Sequence, residues 1–184
     1  MIRLFLGLPI PDAHRNALSK LQAKLPRGRA VSWENFHITM VFLGETSDLV
    51  AQELHENILS KQFFLPELSI DGIGHFGGVS PRAVWASVKA SDELKEMVAG
   101  LGVCARQAGI RIQRRRFVPH VTLMRFRIGE VAAADLAQVL ETLGRFQLPS
   151  FQPNELVLYE SQLRPEGPRY TELQSYPVIP SQTI

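Results

Sequence analysis

Residues 36–42 read FHITMVF, and residues 119–126 read PHVTLMRF. In each stretch a histidine is followed by a β-branched residue, a threonine and a large apolar residue. The two histidines, His37 and His120, are 83 positions apart, which is close to half of the 184-residue chain. A motif repeated at this spacing predicts an internal duplication, with one copy of the same small unit in each half of the chain.

The elements predicted around the two motifs follow a similar order. A strand over residues 2–9 is followed by a helix capped by Asp12, the first motif strand, a helix capped by Ser47 or Asp48, and a glycine-rich hairpin. After a helix capped by Ser91, the second motif strand is followed by another helix and a closing pair of strands. This mixture of hairpins and helices is typical of an α+β fold.

The repeat and the element order together predict one bilobal domain over residues 1–184. Its first motif lies at about residues 37–40 and its second at about residues 120–123. We expect two pseudo-symmetric lobes, each an antiparallel sheet with helices packed outside, and an active site in the cleft between them. A short extra strand is predicted at residues 31–33.

The motif strands carry groups that suit acid–base chemistry. On a strand, residues i and i+2 share one face about 6.6 Å apart, at ~3.3 Å per residue. His37 therefore shares a face with Thr39, and in the same way His120 shares a face with Thr122. If the strands meet at the cleft, one neutral histidine can activate a hydroxyl or water while the protonated one donates to the leaving oxygen of a phosphodiester.

A structural role for the histidines is the alternative. A single histidine on a strand is more often a hydrogen-bonded structural residue than a catalyst. The recurrence of a His-x-Thr unit at the same place in both repeats favours catalysis by His37 and His120, with hydrogen bonds from Thr39 and Thr122 to the non-bridging phosphate oxygens.

The two motifs resemble those of the two-histidine phosphoesterases, and within them the bacterial and archaeal RNA 2′,3′-cyclic phosphodiesterases, also called 2′-5′ RNA ligases. The similarity extends to RLFLGLPIP at the start, FLGE after the first motif, Pro119, and LYESQLRPEGPRYTEL near the end. It implies hydrolysis of an RNA terminal 2′,3′-cyclic phosphate to a 2′-phosphate, without metal, ATP or cofactor. It also implies that His37 protonates the departing 3′-oxygen and that His120 is the base that activates water.

Arg125 and Phe42 each lie five positions beyond their motif histidine, so pseudo-symmetry makes them counterparts. An arginine plane and an aromatic ring could sandwich a terminal base. Strict strand alternation turns an odd offset away from the histidine face, unless the strand bends or bulges. Phe42 could equally be a core residue, whereas Arg125 is favoured as a substrate contact because an unpaired arginine is difficult to bury.

Charge and composition add a weaker expectation about partners. The formal net charge is only +2, but seven arginines and no acidic residue occur between Arg106 and Arg127. The cluster RIQRRR over Arg111–Arg116 could contact an RNA backbone, or it could be a solvated surface segment. The expected partner is RNA with 2′,3′-cyclic phosphate ends, such as tRNA fragments or nucleotides.

Several classes of protein are disfavoured. There is no apolar run long enough for a membrane span, so we expect a cytoplasmic protein and, since two lobes complete the site, a monomer. No His-x-x-x-His pattern or carboxylate cluster indicates a metal site. A single cysteine, Cys104, cannot form an internal disulfide and is expected to pack in the core.

The remaining histidines and the tryptophans have less specific interpretations. His14 and His55 lie on polar faces of predicted helices and are expected at the surface. His75 lies near the turn of the glycine-rich hairpin, where a structural role is favoured over a role in the site. Trp33 and Trp85 are expected in the core.

Three functions remain open. The first is hydrolysis of the cyclic phosphate. The second is the same chemistry in reverse, in which a 5′-hydroxyl RNA attacks the cyclic phosphate to form a 2′-5′ bond without ATP. The third is a non-catalytic RNA-binding module, which predicts that His37→Ala and His120→Ala leave RNA binding intact.

Overall fold

The computed structural model describes residues 1–113, 115–165 and 167–181. Within these ranges the chain forms four α-helices and ten strands. The helices are α1 (Asp12–Gln22), α2 (Asp48–Leu59), α3 (Asp92–Gln107) and α4 (Ala133–Leu143). The strands are β1 (Ile2–Pro9), β2 (Arg29–Ala30), β3 (His37–Thr46), β4 (Phe64–Leu65), β5 (Ile70–Phe76), β6 (Ala83–Val88), β7 (His120–Arg125), β8 (Glu155–Arg164), β9 (Gly167–Pro177) and β10 (Ile179–Pro180).

Local sequence signals explain most of the helix starts. The hydroxyl of Ser47 accepts a hydrogen bond from the backbone N–H of Val50, and Ser91 does the same at the start of α3. Both predicted serine caps are therefore confirmed. Asp12 is instead the first residue of α1, where its carboxylate faces the positive end of the helix dipole without forming a cap.

The strand predicted at residues 31–33 is wrong. The short strand in this region is β2, two residues earlier, and Trp33 begins a 3-10 turn that ends at Asn35. β2 pairs with β7, which lies in the second half of the chain. Its two residues pair with the last two residues of β7.

The main sheet has the strand order β5-β6-β7-β3-β1-β8-β9, with β2 also paired to β7, and its pairings are antiparallel. β3 and β7 meet at a single residue pair, Ile38 opposite Val121. This crossing divides the sheet into a first lobe of β1, β3, β8 and β9 and a second lobe of β2, β5, β6 and β7. The predicted α+β architecture is confirmed.

The lobes do not coincide with the two halves of the chain. The closing hairpin β8–β9 comes from the second half but completes the lobe that holds the first motif. The hairpin β5–β6 comes from the first half but pairs with the second motif strand. Helices follow the same exchange, since α1 contacts β7 and α3 contacts β3. Each lobe therefore requires elements from both halves of the chain.

The core lies between the sheet and the helices. Ile38, Val121 and Leu123 are fully buried there, as are Leu6 and Leu8 from β1. Cys104 is also fully buried on α3, which confirms its predicted packing role. In the described ranges, no helix is both long enough and apolar enough to cross a membrane.

We expect Ile38→Ala to lower the free energy of unfolding by about 2–5 kcal/mol, because it removes buried methyl groups at the joint between the lobes. Urea denaturation monitored by circular dichroism measures this change. Leu49→Ala is the matched control, since Leu49 is 78% exposed on α2, and it should change stability by at most about 0.5 kcal/mol. Equal effects of the two substitutions would contradict this account of the joint.

Candidate active site

The crossing of β3 and β7 places the motif side chains together. Because the strands are antiparallel with Ile38 opposite Val121, the same register puts His37 opposite Thr122 and Thr39 opposite His120. These four side chains lie on the face opposite to the buried Ile38 and Val121. All four line one cleft of about 710 Å³, so the structure brings together the groups that the repeat predicted.

Both histidines are oriented by the same backbone contact. Nδ1 of His37 lies 2.7 Å from the carbonyl oxygen of Asn35, and Nδ1 of His120 lies 2.6 Å from that of Val118. A carbonyl oxygen can only accept, so each Nδ1 carries the proton and donates. Nε2 is therefore the atom of each ring that is available to exchange a proton in the cleft.

The two Nε2 atoms differ in their neighbours. Nε2 of His37 lies 2.9 Å from Oγ1 of Thr39, which donates to it while the ring is neutral. No described protein atom forms a hydrogen bond with Nε2 of His120. The site is thus nearly symmetric in position, but only His120 has its Nε2 free to accept a proton from a water molecule.

Aromatic rings surround each histidine. Ring centroids of Phe5 and Tyr170 lie 4.7 Å and 5.1 Å from that of His37, with the tyrosine edge-on at 88°. His120 packs in the same way against Phe76 and Trp85, at 5.0 Å and 5.7 Å. These apolar neighbours limit the access of water to both imidazoles.

The tryptophan predictions are wrong. Trp85 is half-buried and forms part of the wall around His120, because its strand position faces the site and not the helices. Trp33 is also half-buried, with the guanidinium of Arg15 5.0 Å from its ring. The aromatic residues around the histidines could have been found only by knowing which strands lie beside β3 and β7.

Burial controls the protonation of the pair. Desolvation lowers the pKa of His37 from 6.5 to about 4, and the positive charges of His120 and Arg125 act in the same direction. The pKa of His120 is also lowered, mainly by burial and further by Arg125. Both imidazoles are therefore neutral at neutral pH in the free protein, and binding of an anion is needed to favour a proton on either one.

Matching bulges turn Phe42 and Arg125 towards the cleft. Met40 is the extra residue where β3 pairs with β1, and Leu123 is the extra residue where β7 pairs with β6. A bulge shifts the alternation by one position. Both side chains consequently line the cleft, and Phe42 is 64% exposed. The alternative that Phe42 is a core residue is wrong.

The positive charge of the cleft comes mainly from outside the predicted arginine-rich segment. Of that segment's described residues, only Arg125 lines the cleft, whereas Arg111, Arg115 and Arg116 are exposed elsewhere. Arg114 lies outside the described residues. Four further arginines line the cleft: Arg3, Arg29, Arg164 and Arg169. Arg3 and Arg29 are far in the sequence from Arg164 and Arg169, so no local charge pattern reveals that they share one cleft.

The other three histidines do not line the cleft. His14 and His55 were expected at the surface, but both are half-buried. Nε2 of His14 lies 2.7 Å from the carbonyl oxygen of Pro149, and Nδ1 of His55 lies 3.1 Å from the hydroxyl of Tyr176. Contacts with distant strands and loops bury them. His75 is half-buried on β5, away from the cleft.

The family model described as 2′-5′ RNA ligase superfamily matches residues 10–164, which include both motifs. The chain belongs to this superfamily. An RNA 2′,3′-cyclic phosphodiesterase of Archaeoglobus fulgidus is 28% identical over 95% of this chain and 99% of that protein. A relative of the same name from Aeropyrum pernix is 32% identical over 79% of this chain and 83% of its own length.

Solved structures agree with this membership. E. coli LigT complexed with 3′-AMP superposes with a TM-score of 0.77 at 25% identity, covering 96% of this chain and 98% of that one. A protein of Thermus thermophilus, TT0787, gives a TM-score of 0.76 at 24% identity, covering 98% of this chain and 100% of that one. The superfamily that the two motifs predicted is thereby confirmed.

We expect NMR titration of the free protein to show that His37 is half-protonated near pH 4, because its ring is desolvated. His120 should titrate below 6.5. Signals are assigned with His37→Gln and His120→Gln, and the titration is repeated with a nucleoside 2′-phosphate, whose negative charge should raise both pKa values. A pKa of His37 at or above 6.5 in the free protein would contradict this electrostatic account.

Proposed function

We propose that this protein hydrolyses the terminal 2′,3′-cyclic phosphate of RNA to a 2′-phosphate by metal-independent acid–base catalysis. The observation that carries the proposal is the pair of histidines in one cleft, each with its Nδ1–H held by a backbone carbonyl and its Nε2 left to exchange a proton. The names of the curated relatives support the same activity.

The proposed step uses each histidine once. Nε2 of His120 takes a proton from water as the water oxygen forms a bond to phosphorus. The bond from phosphorus to the 3′-oxygen breaks, and Nε2–H of His37 gives its proton to that oxygen, which leaves a 2′-phosphate. The resemblance supports this direction, and so does the free Nε2 of His120 in contrast to that of His37.

The lowered pKa of His37 assigns a role to the substrate. A protonated His37 is a minor form of the free protein at neutral pH, since its pKa is about 4. The negative charge of a phosphodiester between the two rings stabilises the imidazolium and raises that pKa. The bound substrate thus favours protonation of His37, the residue proposed to donate a proton to it. Thr39 and Thr122 are proposed to donate to the non-bridging oxygens, and Thr39 is released to do so once His37 is protonated.

Phe42 and Arg125 are proposed substrate contacts. The exposed ring of Phe42 offers a flat apolar face on which a base can stack, and Arg125 offers a planar cation from the other motif strand. They lie on strands that leave the crossing in opposite directions, so each contacts the substrate from its own lobe. We further propose a monomeric, cytoplasmic protein.

Ligation is the second candidate function. It is supported by the description of the matched family, 2′-5′ RNA ligase superfamily. Joining uses the same site, with a 5′-hydroxyl of a second RNA in place of water. Joining is therefore not the reverse of hydrolysis, contrary to the expectation from the sequence, because only the nucleophile changes and the acid and the base keep their roles. Which reaction occurs depends on whether water or the hydroxyl reaches the phosphorus first.

We expect the protein to convert an oligoribonucleotide 2′,3′-cyclic phosphate to the 2′-phosphate in excess chelator, as identified by mass spectrometry and by resistance to a 3′-specific phosphatase. Because each histidine supplies one proton transfer, His37→Ala and His120→Ala should each lower kcat/KM by about 10²–10⁴-fold. His55→Ala, outside the cleft, is the control and should retain activity.

Three results would change the assignment. Loss of activity in chelator would exclude the metal-independent mechanism, and a 3′-phosphate product would reverse the leaving group. A joined product that forms when a 5′-hydroxyl RNA is added would favour the ligase. If both alanine variants bind RNA normally and the wild type forms no product, the non-catalytic alternative is correct.

We expect bell-shaped pH profiles, since His120 must be neutral and His37 charged. The kcat/KM profile reports the free protein, where both pKa values are lowered, so its maximum should lie below pH 6.5. Activity falls on the acid side as His120 gains a proton, and on the alkaline side as His37 loses one. The kcat profile should peak at higher pH because the bound phosphate raises both pKa values. Coincident maxima would contradict this shift.

A further inference from the structure

Three arginines that line the cleft together with Tyr170 are Arg3 on β1, Arg29 on β2 and Arg125 on β7. Each is close enough to act electrostatically on the phenol, where they oppose the rise in its pKa that burial causes. Because these strands belong to both lobes, the fold brings positive charge into the cleft from both sides.

The described part of the chain provides little neutralisation of this charge. Glu34 is the acidic residue among those that line the cleft, and its carboxylate accepts a hydrogen bond from the hydroxyl of Ser32. The ion pairs formed within the described ranges involve Arg15 and Lys95, neither of which lines the cleft. The arginines of the cleft are therefore available to an external anion.

Two of these arginines oppose each other directly. Arg29 lies opposite Arg125 in the antiparallel register of β2 and β7. Like charges at such a position destabilise a sheet when nothing lies between them. A bound anion would convert this repulsion into two attractions. Both side chains are exposed. The two charges therefore lose little hydration, and both remain accessible to a ligand.

Tyr170 places this charge beside the reacting group but not on it. Its ring is edge-on to His37 at 5.1 Å, and it lines the same cleft as the two imidazoles. No described protein atom accepts a hydrogen bond from this hydroxyl. Tyrosine O–H and arginine N–H groups are donors that suit phosphate oxygens. The region can therefore hold a second anion while the first lies between the histidines.

We propose that Tyr170, Arg3 and Arg29 form a second phosphate subsite, which binds the phosphodiester that joins the terminal nucleotide to the preceding one. This inference rests on the proposed function and defines its substrate class as an RNA chain, in preference to a mononucleoside cyclic phosphate. Arg164 and Arg169 extend the positive lining along the β8–β9 hairpin.

The test uses two dinucleotides that end in a 2′,3′-cyclic phosphate and differ in one charge. One has an ordinary internal phosphodiester, and the other has a neutral methylphosphonate at the same place. We expect the wild-type kcat/KM to be at least about tenfold lower for the neutral substrate, which corresponds to about 1.4 kcal/mol, because the methylphosphonate cannot form charge-assisted hydrogen bonds with the subsite.

Two variants connect this loss to the subsite. Arg29→Gln and Tyr170→Phe should each lower kcat/KM for the charged dinucleotide by about tenfold, and lower it much less for the neutral one, because the lost partner is the internal phosphate. Tyr170→Phe keeps the ring against His37. Arg27→Gln is the matched control, since Arg27 is an exposed arginine two residues from Arg29 that does not line the cleft.

The outcomes separate this inference from the proposed function. Equal kcat/KM values of the wild type for the two dinucleotides, or equal losses on both substrates in Arg29→Gln and Tyr170→Phe, would overturn the subsite while leaving hydrolysis intact. Absence of a 2′-phosphate product from either dinucleotide with the wild-type protein would overturn the proposed function. Thermal unfolding of each variant verifies that its fold is retained.

Discussion

A single residue pair joins the two lobes, and the candidate site depends on it. Where Ile38 lies opposite Val121, the antiparallel register leaves each histidine facing the threonine of the other strand. One additional step of register would turn a whole motif towards the helices. The fully buried pair below the site therefore determines which atoms meet in the cleft above it. The packing of the core and the arrangement of the site therefore depend on the same contact.

The surroundings of that pair favour neutral imidazoles until an anion arrives. Aromatic rings desolvate both histidines, and arginines raise the cost of a further positive charge. The same arginines favour a phosphate ligand. The low pKa values disfavour protonation of the empty cleft, so in the proposed mechanism the protonation of the histidines is coupled to the binding of a phosphate. Thr39 reinforces this coupling because its hydroxyl donates a hydrogen bond to Nε2 of His37 only while that ring is neutral.

Much of the fold and the central part of the site could be predicted from sequence. Two His-x-Thr units at half-chain spacing indicate both the pseudo-symmetry and the four converging side chains, and serine caps indicate where α2 and α3 begin. The bulges at Met40 and Leu123 could not be predicted, because a bulge depends on how the neighbouring strand pairs. Arg29 and Tyr170 were missed for a related reason. Their positions in the cleft follow from the order of strands in the sheet, which local patterns do not encode.

The exchange of hairpins between the lobes bears on how such a fold could have arisen. Each motif strand shares its lobe with a hairpin from the other half of the chain. Two separate copies of an ancestral half would complete each other in the same manner, by trading hairpins across a two-fold axis as domain-swapped dimers do. Fusion of the copies removes the need for association and allows them to diverge. One histidine can then keep its threonine while the other releases it, and this difference underlies the proposed division of the pair into an acid and a base.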